Sequence, residues 1–142
     1  MVEVHVKMVK EITLANKGER FRKELLNQVS HDGRLIMESV TPRRTSRGAN
    51  SYQIVKKGNV HEIQNHTFYL PFVNDGTGIY GPRHRRITPV HAKVLHFHWK
   101  GREWFVKSVR GQKPRKFVER GVQDIVKTIP KASSIAAKKV LR

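Results

Sequence analysis

The spacing of apolar residues changes early in the chain, and that change constrains the fold more than any other feature. Val2, Val4, Val6 and Met8 alternate with Glu3, His5 and Lys7. This is the period of a strand with one buried face, and it predicts a strand over residues 2–12. Asn16-Lys17-Gly18 then interrupts, with Asn16 a residue type suited to a helix N-cap. From Glu19 the spacing becomes three and four. Phe21, Leu25, Val29, Ile36 and Val40 form one helical stripe, which Leu26 and Met37 widen. Gly33 interrupts the stripe at a cost of about 1 kcal/mol relative to alanine, so it marks a kink or a close contact. Thr41-Pro42 ends the helix, because the residue before a proline is driven out of the α region.

The rest of the chain is read the same way. TPRRTSRGAN, residues 41–50, is polar, basic and rich in turn residues, hence a loop. Residues 51–73 hold two strand-like stretches around a Lys57-Gly58-Asn59 turn. Residues 74–89 crowd Gly76, Gly78, Gly81, Pro82 and Pro89 together, which predicts a long exposed loop without regular structure. Residues 93–107 read as a second hairpin turning at Lys100-Gly101. Its aromatics are Phe97, Trp99, Trp104 and Phe105, and apolar neighbours at alternating positions put them in the core rather than stacked on bases. After Gly111 and Pro114, the residues Val118, Val122, Ile125 and Ile129 mark a last helix, with Pro130 as its stop.

The order β–α–ββ–loop–ββ–α predicts an α+β fold. Its sheet is expected to be mainly antiparallel, of about four to five strands, with a long N-terminal-half helix and a C-terminal helix packed on it. Residues 1–130 are expected to form one domain, and residues 131–142 a basic C-terminal extension. The expected core sets Phe21, Leu25, Val29, Ile36, Val122 and Ile125 against the aromatic hairpin. A chain of 142 residues is long enough for such a core without covalent staples.

Twenty-nine Lys and Arg against eleven Asp and Glu give a net charge of +18. Such a balance favours a polyanionic partner: nucleic acid, an acidic membrane surface or an acidic protein. The cations are threaded between apolar residues along the whole chain, as on the solvated skin of a folded domain. There is no cysteine, so disulfides and thiolate metal sites are excluded. No apolar run approaches the roughly 20 residues that span a bilayer. The first ten residues lack the pattern of a signal peptide. A protein made and kept in a cytoplasm is the expectation.

Catalytic chemistry finds no positive support. The eight histidines invite a metal site. His96 and His98, two apart on a strand, share a face, and His61, His66 and His91 are further candidates. Zinc needs at least three converging ligands, and no H-E-x-x-H spacing is present, so histidines on a polar sheet face are the better reading. No G-x-S-x-G elbow occurs, and His31-Asp32 cannot be tied to a serine. Asp75 and Glu103 are more simply neutralisers of nearby cations than a carboxylate pair. Asp75-Gly76-Thr77-Gly78 is only superficially a phosphate cradle, because no Lys-Ser/Thr closes the motif. No cofactor is indicated.

Two basic clusters remain. Arg43, Arg44 and Arg47 lie in the first loop, and Arg83, His84, Arg85 and Arg86 in the second. Arginines on loops grip phosphates, form ion pairs between subunits, or simply belong to a solvated loop. With Asp75, the arginines at 43, 44, 47, 83, 85 and 86 are the candidates for contact with DNA or with a neighbouring subunit.

An ordered set of motifs resembles one family. Tyr69-Leu70-Pro71-Phe72-Val73 followed by Asn74-Asp75-Gly76-Thr77 is similar to the "Y-A-x-x-V-E-x-G-T" signature of the phage tail-component family. That family comprises neck, tail-completion and tail-terminator proteins of long-tailed double-stranded DNA phages and proviruses. Ile87-Thr88-Pro89 with Ala92-Lys93-Val94-Leu95-His96-Phe97 is similar to its "I-x-P-x-x-A-K-A-L-x-F" strand, and Trp99-Lys100-Gly101-Arg102-Glu103 resembles its hairpin. Lys113-Pro114-Arg115-Lys116-Phe117-Val118, after Lys107-Ser108-Val109, is similar to the "K-P-R-P-F-L" lead-in to its last helix. Thr41-Pro42 with Ser46-Arg47-Gly48 falls where the family has "P-V-D-T-G-x-L", with Arg43-Arg44 in place of Val-Asp. The resemblance spans residues 19–129; the first strand and the basicity lie outside it.

The resemblance implies a structural virion protein without catalytic residues. Its copies assemble as a ring around the tail axis, a hexamer, and cap or join the tail tube. The partners it implies are other copies of the chain, tail-tube or connector proteins, and genomic DNA, with no membrane. It implies assembly in a host cytoplasm and a final place in the virion neck or tail. A basic nucleic-acid-binding module is the alternative from another class. A metal-dependent nuclease stands third, on the histidines and the charge alone.

Overall fold

The computed structural model describes residues 1–7, 15–44 and 46–142. Three strands, β1 (Val2–Lys7), β2 (Gln53–Lys57) and β3 (Val60–Asn65), form an antiparallel sheet in the order β1-β3-β2. Two helices belong to the same compact unit, α1 (Ala15–Val40) and α3 (Phe117–Leu141). A second unit, Tyr69–Lys116, holds the short helix α2 (Leu70–Asp75) and a separate antiparallel hairpin of β4 (Leu95–Trp99) and β5 (Arg102–Val106). The fold is α+β, as expected, but the five strands among the described residues form sheets of three and two, not one sheet of four to five. No helix among the described residues is long and apolar enough to cross a membrane.

Alternation along β1 and β3 sorts the three-stranded sheet into two faces. Val2 and Val4 are buried and stand opposite Asn65 and Ile63, while Glu3 and His5 look outward opposite Gln64 and Glu62. On β3 the inward residues are His61, Ile63 and Asn65. His61 hydrogen-bonds Ser30 of α1 at 3.0 Å, and Asn65 donates to the Gly48 carbonyl at 2.6 Å. On the outward face Glu62 accepts from Lys57 at 2.8 Å and from Gln64 at 2.7 Å. Every buried side-chain polar atom among the described residues has a partner, so none carries the desolvation cost of an unmade hydrogen bond. The strand reading beyond Lys7 falls outside the described residues. The strand reading of residues 66–73 gives way to α2, which Pro71 starts by supplying a pre-set φ in the first turn.

The packing of α1 on α3 turns on small residues. A Cβ on Gly33 would lie 2.7 Å from Ile63 Cδ1 and 3.3 Å from Ile125 Cδ1. Gly33 is thus a three-way contact between α1, β3 and α3, the close contact that its place in the stripe predicts. Gly121 of α3 likewise leaves room for Met37 and Val40 of α1. The buried face of α3 reads Phe117, Gly121, Ile125, Ala132, Ala136 and Val140. Val122 and Ile129, expected inside, are exposed, so the true stripe is turned away from the one that large residues alone suggest. On α1, Leu25, Leu26, Val29 and Met37 are buried, while Phe21 and Ile36 are only partly so. The helix also starts at Ala15, which puts Asn16 inside the first turn rather than at the cap.

Pro130 does not stop α3. The helix runs on to Leu141, and the residues read as a basic extension carry the buried Ala132, Ala136 and Val140. The proline lacks an N–H for the Val126 carbonyl. Both residues are exposed, so water can serve that carbonyl. Thr128, Ser133 and Ser134 hydroxyls donate to the carbonyls of Ile125, Ile129 and Pro130 around it. Burial of the face beyond the proline outweighs the missing hydrogen bond.

Two outcomes follow for stability, read by urea denaturation. Gly33→Val forces a branched side chain against Ile63 and Ile125 and should destabilise by about 2 kcal/mol, within the usual range for overpacking. Pro130→Ala restores a hydrogen bond on an exposed helix face and should stabilise by about 1–3 kcal/mol. A loss of stability in Pro130→Ala would mean that α3 needs a bend there.

Candidate functional site

The candidate arginines fall on both units. In the first, Arg43, Arg44 and Arg47 are exposed on the loop after α1. The stem of that loop is fixed by Thr41 and Tyr52, whose hydroxyls meet at 2.8 Å, and by the clamp of Asn65 on Gly48. Burial pushes the Tyr52 phenol above its ordinary pKa, against the lowering effect of its Thr41 hydrogen bond. The arginines thus leave a rigid base on long side chains.

In the second unit, the expected structureless loop 74–89 is held by its backbone. Thr77 N–H donates to the Gln112 carbonyl at 2.9 Å and Ile79 N–H to the Arg110 carbonyl at 2.8 Å. Ile87 and Val109 exchange two hydrogen bonds, and Val73 and Asn74 carbonyls accept from Arg115 and Lys116. Gly78 and Gly111 have φ of 65° and 94°, and a Cβ on either would run into backbone of the opposing segment. The glycines of Asp75-Gly76-Thr77-Gly78 therefore serve a close backbone crossing, and the loop is ordered by it.

That crossing supports an open groove of about 730 Å³. Phe72, Ile87 and Val90 give it an apolar lining, and Arg83, Arg85, Arg86 and Asp75 stand around it. Phe72 is 57% exposed and Val90 86%. Arg86 Nε donates to Ser108 at 2.9 Å, which fixes its guanidinium. Asp75 accepts from Asn74 at 2.9 Å and lies 3.6 Å from the Lys116 ammonium, so it acts as a neutraliser, as its sequence context suggested. Among the described residues no carboxylate pairs with Arg43, Arg44, Arg47, Arg83, Arg85 or Arg86. Their charge is directed at solvent.

The hairpin departs most from expectation. It turns at Lys100 and Gly101, both with positive φ, as a two-residue turn requires. Trp99, Trp104 and Phe105 are exposed rather than core. Trp104 meets Trp99 edge to face at 6.2 Å, and the Lys100 ammonium lies 4.6 Å from the Trp99 ring. On the other face His96, His98 and Glu103 converge, with His98 Nε2 2.9 Å from Glu103. Glu103 was not grouped with the histidines from the sequence. The signal was there, since a two-residue turn at 100–101 sets residue 98 opposite 103.

The other candidates stay structural. Asp32 accepts from Gln28 within α1. His61 is buried beside a cleft of about 340 Å³ bordered by Arg22, Lys23 and Lys56. Burial, and then the nearby Lys56 charge, hold the His61 imidazole below its ordinary pKa, while a hydrogen bond to the Leu26 backbone opposes them.

Comparison with protein-family models, with curated proteins and with solved structures finds no match to this chain. Fold and surface define a strongly basic α+β protein of two compact units, with arginine-bearing loops and an exposed aromatic hairpin.

His61 gives this protein a pH dependence whose sign is fixed. Its folded pKa lies below the ordinary value of about 6.5, so the unfolded chain takes up this proton first as pH falls. The stability it contributes is complete above about pH 6.5 and declines as pH drops toward the lowered folded value. The melting temperature of the native chain should fall between pH 7 and 5, and His61→Gln should flatten that fall. An equal fall in both would remove His61 as the cause.

Proposed function

We propose that this protein is a structural component of the neck or tail end of a long-tailed double-stranded DNA virus. In this reading it is a tail-completion, tail-terminator or head–tail joining subunit that acts by assembly and without catalysis. The ordered resemblance through residues 19–129 suggests the family. The physical observation that carries the reading is the amount of large apolar surface left in water on residues 69–116. Phe72, Val90, Trp99, Trp104 and Phe105 are all at least 40% exposed. Large apolar side chains exposed in this number on one unit are what a partner protein would cover.

Assembly as a ring suits this surface. A head-to-tail contact closes when its rotation allows, and a hexamer is the family's form. Among the described residues β1 and β2 each pair on one side only, and β4 and β5 pair only with each other. Edge pairing between neighbouring copies would build the larger sheet of about four to five strands that the order of elements along the sequence predicts. The arginine loops, 41–50 and 74–89, would then meet an acidic tail-tube or connector surface, or the DNA in the channel. The virion is the place this assigns to the protein, after assembly in a host cytoplasm.

The unpaired arginines favour one alternative, a monomeric nucleic-acid-binding module. Light scattering at low and high salt, with and without duplex DNA, separates the two. The neck reading expects a discrete closed oligomer without DNA, which Trp104→Ala with Phe105→Ala should reduce to monomers. A monomer that binds duplex DNA with a steep salt dependence would replace the neck reading by the module. In that case Arg83→Ala with Arg85→Ala should lower the salt slope by about 2, near one for each phosphate left without its arginine.

A further inference from the structure

We propose that the β4–β5 hairpin is a metal site, in which His96, His98 and Glu103 bind one zinc-class divalent ion. The inference is independent of the virion reading. His96 and His98 lie two apart on β4 and so share one face, and His98 stands directly opposite Glu103 on β5. Both imidazoles direct Nε2 at the same carboxylate oxygen, at 3.8 Å from His96 and 2.9 Å from His98. All three ligand atoms lie within 4.8 Å of one another. Zinc–nitrogen and zinc–oxygen bonds of about 2.0–2.1 Å in tetrahedral geometry set ligand atoms about 3.3 Å apart. The two distances to Glu103 bracket that value. All three side chains are exposed, so solvent and an ion can reach them.

The ring of His96 is already oriented. It stacks on Phe105 with centroids 4.4 Å apart and planes within 3°. Two imidazoles and one carboxylate suit zinc, copper or nickel, and not calcium or magnesium, which take oxygen donors. Three protein ligands leave at least one position for water or for a group from a second molecule. The bound ion would clip β4 to β5. A two-stranded hairpin is marginal alone, and a metal is a common staple for so small an element.

A second group, Glu3, His5 and Glu62, also lies within ligand distance. It is a poorer site, because the Lys57 ammonium is 2.8 Å from Glu62, and Gln64 donates to the same oxygen. The cation place beside that carboxylate is taken by lysine. This group therefore serves as the internal control.

The test uses the full chain without a histidine tag, freed of metal by a chelator. Zinc chloride is titrated by calorimetry, and cobalt chloride by visible absorption, at neutral pH. The native chain should bind one equivalent. His98→Ala and Glu103→Gln should each weaken binding by at least about 100-fold, the upper end of what losing even an outer-shell partner costs. Affinity should fall as pH is lowered, because protons compete with the metal for the imidazoles. His5→Ala should bind like the native chain. Nickel should broaden the NMR amide signals of Leu95–Val106 in the native chain and not in His98→Ala, with the remaining amide signals of that variant unmoved. Absence of one-equivalent binding would overturn the proposal. So would binding that survives in His96→Ala with His98→Ala, or binding that His5→Ala abolishes.

Discussion

The close approach of α1 to α3 is the contact on which the first unit depends. It is made by absence of side chain, at Gly33 and Gly121, and by small residues at Ala132 and Ala136. Into the space at Gly33 come Ile63 from the sheet and Ile125 from α3, so one position joins all three layers. Burying Met37, Ile63 and Phe117 completely is worth about 1.5–3 kcal/mol each. None of that is available unless the helices come this near. The same contact explains why α3 continues through Pro130. The helix is held by a face whose partner is already in place, and local backbone preference is the smaller effect.

The second unit is held together differently. Its glycine-rich segment is tied by main-chain hydrogen bonds to residues 109–116, and two glycines at positive φ make the crossing possible. Backbone pairing of this kind orders a loop without a large apolar core. That leaves apolar side chains outside, and Phe72, Val90 and the hairpin aromatics are where they end up. An ordered backbone with exposed aromatics is costly in water unless something covers them.

What the sequence disclosed depended on how large the telling side chains are. The alternation of Val2 and Val4 with Glu3 and His5 gave the strand and its faces, and Thr41-Pro42 gave the end of α1. The turns at Gly58-Asn59 and Lys100-Gly101 gave both hairpins. The buried face of α3 was hidden because glycine and alanine carry little hydrophobic signal, and Val122 and Ile129 carry more while facing water. Propensity at Pro130 pointed the wrong way, since packing of the helix that follows, as far as Leu141, outweighs it. Among the candidate residues, the exposure of the six arginines was legible from their loops. The convergence of Glu103 on His96 and His98 needed the pairing register of the hairpin, which periodicity within a single strand does not contain.

Charge limits what each surface can do. Of the eleven acids, Glu24, Glu38, Glu62, Asp75 and Asp124 are already engaged with Lys139, Arg34, Lys57, Lys116 and Lys127. The arginines of the two loops have no such partner among the described residues, and the net charge is +18. Copies of this chain that met through those loops would set like charges within the screening length of about 8–10 Å and repel. In the proposed ring, contacts between copies would therefore use surface away from those loops, such as the exposed aromatics of the β4–β5 hairpin. The loops would then be left for something anionic, whether phosphate or acidic protein. In that reading self-association and anion binding would belong to different residues, and substitution at one set should leave the other property in place.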